Sequence, residues 1–384
     1  MKLSFPILSW QEAVQSESTL WRAENGAPQP KRLILADDTL NADTAYRLAC
    51  EGCALLWQGD FQNGRQLLQA LARRCDRPPK KPKLITPPEP AQAFHLHRQA
   101  QSQRARILGM VLIALNADYT IPLKRAPNVI DACIEAYGMP TSADSIVSLR
   151  ELQSLIGAHE WRKKGVPIPA LNGHIHPHYG VFSPIRGEYI ELVATVPLPT
   201  TELAFDIGTG TGVLAAVLAR RGIKKIIATD SDPRALRCAN ENINRLGLAD
   251  QVTITSGNLF PDRSAALIVC NPPWVPARPS SPIESAIYDP DSQMLHGFIS
   301  GLAAHLVENG EGWLILSDLA EHLGLRSREQ LIMWINKAGL RVIERIDIKP
   351  NHPKITDIED PLHHARASEV TSLWRLGIKQ PNQE

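Results

Sequence analysis

A chain of 384 residues can form two domains with sizeable cores. Apolar residues make up 43 % and charged residues 21 %, an ordinary globular balance, and a formal charge of +1 excludes a global field that would draw in nucleic acid or membrane. No apolar run approaches the roughly 18 residues of a membrane span, and the short, broken apolar start Met1-Lys-Leu-Ser-Phe-Pro-Ile-Leu8 argues against export.

Six cysteines are scattered along the chain. Cys50 and Cys53 form a C-x-x-C, but no second pair stands at zinc-site spacing and both fall in a helical pattern. Buried small residues are expected there, with no metal. A reduced, cytoplasmic protein fits this usage.

Residues 1 to about 40 read as irregular, interrupted by Pro6, Pro28 and Pro30. Asn41–Trp57 carries apolar residues at helical spacing with Asn41 as a cap, and Phe61–Arg74 follows as a second helix, so a helical hairpin is expected. Arg73, Arg74, Arg77, Lys80, Lys81 and Lys83 then face a single Asp76, with Pro78, Pro79 and Pro82 between them. An extended solvated linker is the expectation for Arg73–Lys83, and contact with nucleic acid or another acidic partner the alternative. Ala91–Asn116 reads as one long helix, and Pro127–Tyr137 and Ser142–Leu155 as two more. Residues 1–165 are therefore expected to form a mainly helical domain that recruits substrate or packs against its neighbour.

The Pro- and Gly-rich stretch Gly165–Pro177 marks the boundary. His174, His176 and His178 alternate there, but no acidic residue or cysteine accompanies them and Pro177 breaks the segment. A loop or edge strand is favoured over a metal site. Next comes Leu203-Ala-Phe-Asp-Ile-Gly-Thr-Gly-Thr-Gly-Val-Leu, a short apolar strand running through Gly208, Gly210 and Gly212 into a helix. Glycine is required where a strand turns sharply into a helix and a ligand approaches the backbone. The spacing differs from the G-x-G-x-x-G of nicotinamide folds. Ile223–Asp230 is a second buried strand ending in a carboxylate, 18 residues beyond Gly212, where ribose hydroxyls are held in nucleotide-binding halves. Ala265–Cys270 is a third, and it runs directly into Asn271-Pro272-Pro273-Trp274.

These residues resemble the class I S-adenosylmethionine-dependent methyltransferases, and within them the amino-methylating group that carries (Asn/Asp)-Pro-Pro-aromatic. The resemblance covers about residues 180 to 350. It is nearest to the release-factor glutamine methyltransferases and the small-domain RNA methyltransferases. It implies an α/β, Rossmann-like seven-stranded catalytic domain at 166–384: strands near 203–207, 225–229, 251–255, 265–270, 311–317, 341–347 and 369–376, helices between the first five, and a closing strand pair. It implies S-adenosylmethionine as cofactor, held by Asp206, Gly208, Thr209, Gly210, Gly212, Asp230, Ser231, Asn258, Leu259 and Asn271. Asn258 stands where an aspartate is commoner, and its carbonyl still accepts a bond from an adenine amino group. Phe182, Pro184, Arg186 and Glu188 match loosely a segment that leads into a helix over the cofactor. Asp289 and Ser300 stand where the protein-glutamine enzymes have glutamate and aspartate.

The catalytic expectation rests on Asn271, Pro272, Pro273 and Trp274. A planar amide or aromatic amine is a poor nucleophile because its lone pair is delocalised. The Asn271 side-chain carbonyl and the Pro272 backbone carbonyl can accept both of its N–H bonds and favour tetrahedral character, while Trp274 stacks on the plane. The expected acceptor is a protein glutamine amide or a nucleobase exocyclic amine in a translation-related macromolecule. The aromatic can stack a flipped base as readily as an amide. An RNA or DNA base enzyme is the alternative, and a non-catalytic binding module on the same fold is a more distant one.

Overall fold

The computed structural model describes residues 6–12, 15–77, 88–279, 282–351 and 355–380. They group into two compact units, one of residues 1–87 with 95–160 and the other of 88–94 with 161–384.

The first unit is built on a six-stranded sheet. Its elements are β1 (Ile7–Glu12), β2 (Gln15–Arg22), β3 (Arg32–Ala36), α1 (Ala42–Cys50), β4 (Cys53–Trp57), α2 (Phe61–Cys75), most of α3 (Pro90–Leu108), β5 (Val111–Leu115), α4 (Ile130–Tyr137), β6 (Ser145–Ser148) and most of α5 (Leu149–Lys164). The sheet runs β1-β2-β6-β5-β4-β3, with β3, β4 and β5 parallel. The expectation of a mainly helical unit is corrected by this sheet, and so is that of an irregular first 40 residues. Three strands lay hidden inside the expected helices. Asn41 does cap α1, but Gly52 at φ +80° ends it and Cys53-Ala-Leu-Leu-Trp57 continues as a wholly buried strand. The long helix stops at Leu108 and Val111-Leu-Ile-Ala-Leu115 is strand; Ser145–Ser148 is strand before α5 begins. A strand buried on both faces has no alternation, so its apolar run looks like the inner face of a helix. The same turn separates Cys50 from Cys53, which do not share a helix face. Of the basic run, residues 78–83 lie outside the described residues; Arg74 pairs with Asp43, and Asp76 with Arg104.

The second unit holds the small pair β7 (Val166–Ile168) and β8 (Gly173–Ile175), then α6 (Glu188–Thr195), β9 (Leu203–Ile207), α7 (Val213–Arg220), β10 (Lys225–Asp230), α8 (Pro233–Arg245), β11 (Val252–Ser256), β12 (Ala265–Cys270), α9 (Gln293–His305), β13 (Leu306–Ser317), α10 (Leu319–His322), α11 (Arg328–Lys337), β14 (Leu340–Ile348), α12 (His363–Ser368) and β15 (Thr371–Ile378). The seven-stranded sheet runs β11-β10-β9-β12-β13-β15-β14, parallel through β13 and closed by an antiparallel pair. Helices cover both faces, as parallel strands require. α6 and α7 pack on one face around Val193, Ala204, Val217 and Val269; α9 and α11 pack on the other around Phe205, Ile268, Phe298 and Leu331. Every residue from Val213 to Ala219 is buried, so α7 is apolar all round. The regular helix expected between the third and fourth strands is missing: β11 reaches β12 through an irregular connection, residues 257–264.

Candidate active site

β9 leads to β10 on one side and has β12 on the other, so the direction of winding reverses beside it. In open α/β sheets ligands bind outside the carboxyl ends of the strands at such a point. Ile207 stands in register with Thr229 of β10 and Cys270 of β12. One residue further along each strand come Gly208, Asp230 and Asn271, on one edge.

The three glycines all have positive φ: +70° at Gly208, +55° at Gly210 and +81° at Gly212. A side chain at Gly208 would collide with the Met294 methyl, and one at Gly212 would press on the Ala239 backbone at 3.3 Å. A Cβ on Gly210 would meet no atom within 4 Å, so open space lies over the middle of the loop. Thr229 O accepts from both Gly208 N and Thr209 N at 2.9 Å. Asp206, 1 % exposed, accepts from Thr209 Oγ1 at 2.6 Å and Ala215 N at 3.1 Å and so ties the loop to α7. Burial pushes its carboxyl up to about 6; those two bonds oppose the rise and the charge of Asp230 adds to it. Asp230 accepts from Gly210 N and Asp232 N, both at 2.9 Å, and burial raises its carboxyl too. Two desolvated carboxylates beside an open glycine cradle suit a cationic ligand with hydroxyl groups. They would repel a polyphosphate.

Beyond β11, Asn258 is exposed and Leu259 takes φ +70°, a strained value for a branched side chain. Thr229 Oγ1 donates to Leu259 O at 2.6 Å. Two glycines of α9, four residues apart, make room for this turn: a Cβ would meet Leu259 Cδ1 at 2.8 Å from Gly297 and Phe260 Cε2 at 2.6 Å from Gly301. Asp289 accepts from Met294 N and Leu295 N, fixing the start of α9 and with it the Met294 side chain over Gly208.

At the end of β12, Trp274 Nε1 donates to Asn271 Oδ1 at 2.8 Å. An indole nitrogen only donates, so the Asn271 atom facing it is the oxygen, and one lone pair of that oxygen stays available. The Arg186 guanidinium lies 4.8 Å over the Trp274 ring, a contact of about 0.5–2 kcal/mol. Arg186 is itself gripped by Glu188 at 2.6 Å and by the buried Glu369 at 3.0 Å, which also accepts from Ser317 Oγ. One indole face is therefore covered, and its edge is pinned to Asn271.

The structure brings Asp206, Gly208, Thr209, Gly210, Gly212, Asp230, Asn271, Pro272, Pro273 and Trp274 to one edge, with exposed Ser231 and the Asn258–Leu259 turn beside β10. Glu369 and Met294 are not marked in the sequence, where Gly301 stands out only as part of the Gly301-Leu302 resemblance. Glu369 lies 183 residues from Arg186 with no local signal. The three histidines do not converge: His176 Nδ1 meets Arg162 O at 2.6 Å and His178 Nε2 meets Glu241 at 3.0 Å.

Residues 172–328 match the family model described as methyltransferase small domain. Over 220 residues the chain is 27 % identical to the tRNA1(Val) (adenine(37)-N6)-methyltransferase of Shewanella woodyi, an alignment covering 54 % of this chain and 89 % of that enzyme. It is 44 % identical over 69 residues to a ribosomal protein L11 methyltransferase of Pelotomaculum thermopropionicum, covering 17 % of this chain and 22 % of that one. It is 36 % identical over 104 residues to a release factor glutamine methyltransferase of Moorella thermoacetica, covering 26 % and 37 %. The chain thus spans well under half the length of the last two relatives.

Proposed function

We propose, from the premise that residues 172–328 form a methyltransferase small domain, that the protein is an S-adenosylmethionine-dependent N-methyltransferase acting on a planar NH₂ group. The observation that carries this reading is the pinned Asn271–Trp274 pair on the same strand edge as the glycine loop and Asp230. A nucleobase exocyclic amine is the favoured acceptor, because a relative covered over 89 % of its length is named as a tRNA adenine N6-methyltransferase. A glutamine amide is the second reading, favoured by Asp289-Pro290 and Gly301-Leu302, which resemble the release-factor enzymes. The division at 165/166 into a recruiting and a catalytic part belongs to the proposal, as does a cytoplasmic setting; among the described residues no helix is long and apolar enough to cross a membrane.

When bound, the cofactor supplies an electrophilic methyl group on a cationic sulfur. Asp230 would hold its ribose hydroxyls, the Gly208–Gly212 backbone would approach it closely, and Asp206 would act on its charged portion. Asn258 and Leu259 would border the adenine. The free lone pair of Asn271 Oδ1 and the Pro272 carbonyl would accept the two N–H bonds of the acceptor, turning its lone pair out of conjugation and toward the methyl group. Trp274 holds the Asn271 amide in the one orientation that presents oxygen, with its indole edge fixed on that oxygen. No base of tuned pKa is required. Calorimetric titration with S-adenosylmethionine tests the cofactor claim; silence at millimolar ligand would sink it.

The Asp206 carboxyl makes a pH prediction. Its folded pKa is raised, so the stability it contributes is complete below its unfolded value, about 4, and is lost as pH rises through about 6. The ionised form is the one that attracts a cation, so cofactor affinity runs the other way and weakens about tenfold between pH 7.5 and pH 5. Asp206→Asn should flatten both profiles. A wild-type affinity that stays level across that window would assign no role to this carboxylate.

A further inference from the structure

Arg326, in the turn between α10 and α11, is 4 % exposed, yet two of its side-chain nitrogens, Nε and Nη2, have no hydrogen-bond partner among the described residues. The third, Nη1, reaches only the backbone carbonyl of Trp274, at 3.5 Å. A guanidinium does not deprotonate in proteins, so this is a buried cation with its donors idle. The two acids whose charge reaches it are both committed elsewhere. Asp289 accepts from the backbone at the start of α9, and Glu321 is held by Arg328 at 2.8 and 2.9 Å. Burial accordingly pulls the Arg326 pKa down from its ordinary value.

The idle pair is also the pair with the right shape. Nε–H and Nη2–H point the same way along one edge of the guanidinium, and that edge grips the two oxygens of a carboxylate or phosphate side-on. Arg104 uses the same edge in this protein, closing on the Asp76 oxygens at 2.7 and 3.0 Å. Arg326 has that same edge without a partner among the described residues. Its side-chain hydrogen bond to Trp274 O lies on the loop that carries the proposed amine acceptors, three residues from Asn271 in sequence.

We propose that the Nε/Nη2 edge of Arg326 is an anion-binding fork for the substrate, and that the group it takes is a phosphate of the nucleotide whose base is methylated or of its neighbour. This rests on the reading of a nucleobase amine as acceptor. Every nucleotide carries a phosphate at a fixed reach from its base, so an arginine fork beside the Asn-Pro-Pro-Trp loop sets the base against Asn271 and Pro272. The contact to Trp274 O is long and therefore weak; the guanidinium can turn toward an arriving phosphate without breaking a strong bond. The fork favours nucleotides over free nucleosides and leaves the methyl donor's affinity alone.

The test uses the full chain, with S-adenosylmethionine affinity measured on each variant as the control. Adenosine, adenosine 5′-monophosphate, adenosine 3′-monophosphate and the trinucleotide ApApA are titrated calorimetrically. Wild type should bind ApApA and one of the monophosphates at least tenfold more tightly than adenosine. Arg326→Gln should bring those affinities down to that of adenosine, with adenosine and S-adenosylmethionine unchanged, and Arg326→Lys should restore part of the preference. Thermal melting of both variants identifies a folding defect, and the Lys variant carries the test if the Gln variant melts early. Equal affinity for adenosine and its phosphates in wild type overturns the proposal. A preference that survives Arg326→Gln overturns it as well. So does an acidic peptide that binds through Arg326 in place of nucleotides, which would give the fork to a protein substrate. Loss of S-adenosylmethionine binding in wild type would strike the methyltransferase reading itself, a distinct failure.

Discussion

Asn271→Ala should lower turnover by about a hundredfold or more, the scale observed when one preorganised polar contact to a reacting group is removed. The substitution takes away one of the two acceptors proposed for the substrate N–H bonds and also frees the Trp274 indole N–H, which donates to Asn271 Oδ1 at 2.8 Å. Two consequences separate the roles. Cofactor affinity should change by much less than turnover, because the proposed site has Asn271 bordering the methyl donor with its oxygen toward the acceptor. Asn271→Asp should retain partial activity, since a carboxylate still accepts from both the indole and the amine. Single-turnover rates with saturating cofactor check this, and an alanine variant within threefold of wild type would remove Asn271 from the chemistry.

Asp230→Ala should weaken S-adenosylmethionine binding by on the order of a hundredfold, the combined loss of hydrogen bonds from hydroxyls to a charged acceptor, each about 1.5–3 kcal/mol before compensation. The same change strips Gly210 N and Asp232 N of their acceptor, so the glycine loop loses its anchor as well as its carboxylate. Folding should not suffer in proportion. Burial already holds the Asp230 carboxyl above its ordinary pKa, which marks a group costly to keep ionised in the free protein, and the melting temperature is expected within a few degrees of wild type. Calorimetry beside thermal melting reads both quantities. Unchanged affinity would mean that β10 delivers its carboxylate to something other than this ligand.

The second unit was legible because its signals are local. A strand running into three glycines, a strand ending in Asp230 and a strand running into Asn-Pro-Pro-Trp each declare their geometry within about ten residues, and the winding rule of parallel sheets then brings their ends together. The first half was not, because β4, β5 and β6 are short and buried on every side. Such runs lack the alternation that separates strand from helix. Only Gly52 and the Gly109–Met110 step before β5 marked the breaks. At the site itself, the parts missed were those joined by tertiary contact alone. Glu369 reaches Arg186 from β15's approach, and Arg326 reaches Trp274 O across 52 residues. Nothing in their neighbours distinguishes them from surface charges. The place of Trp274 after Pro-Pro is readable in the sequence, while its indole N–H bond to Asn271 is set by the fold of the loop.

The central claim is transfer of a methyl group to planar nitrogen. It is tested most directly by incubating the full chain with isotopically labelled S-adenosylmethionine and a cell extract, separating RNA from protein, and locating the label after complete digestion by mass spectrometry. Label on an exocyclic base nitrogen, with adenine N6 the foremost expectation, is the predicted result, and label on a glutamine amide nitrogen would still satisfy the mechanism. Methylation of carbon, sulfur or a hydroxyl oxygen would contradict it, since the Asn271 and Pro272 oxygens would then lack the two N–H donors that define the site.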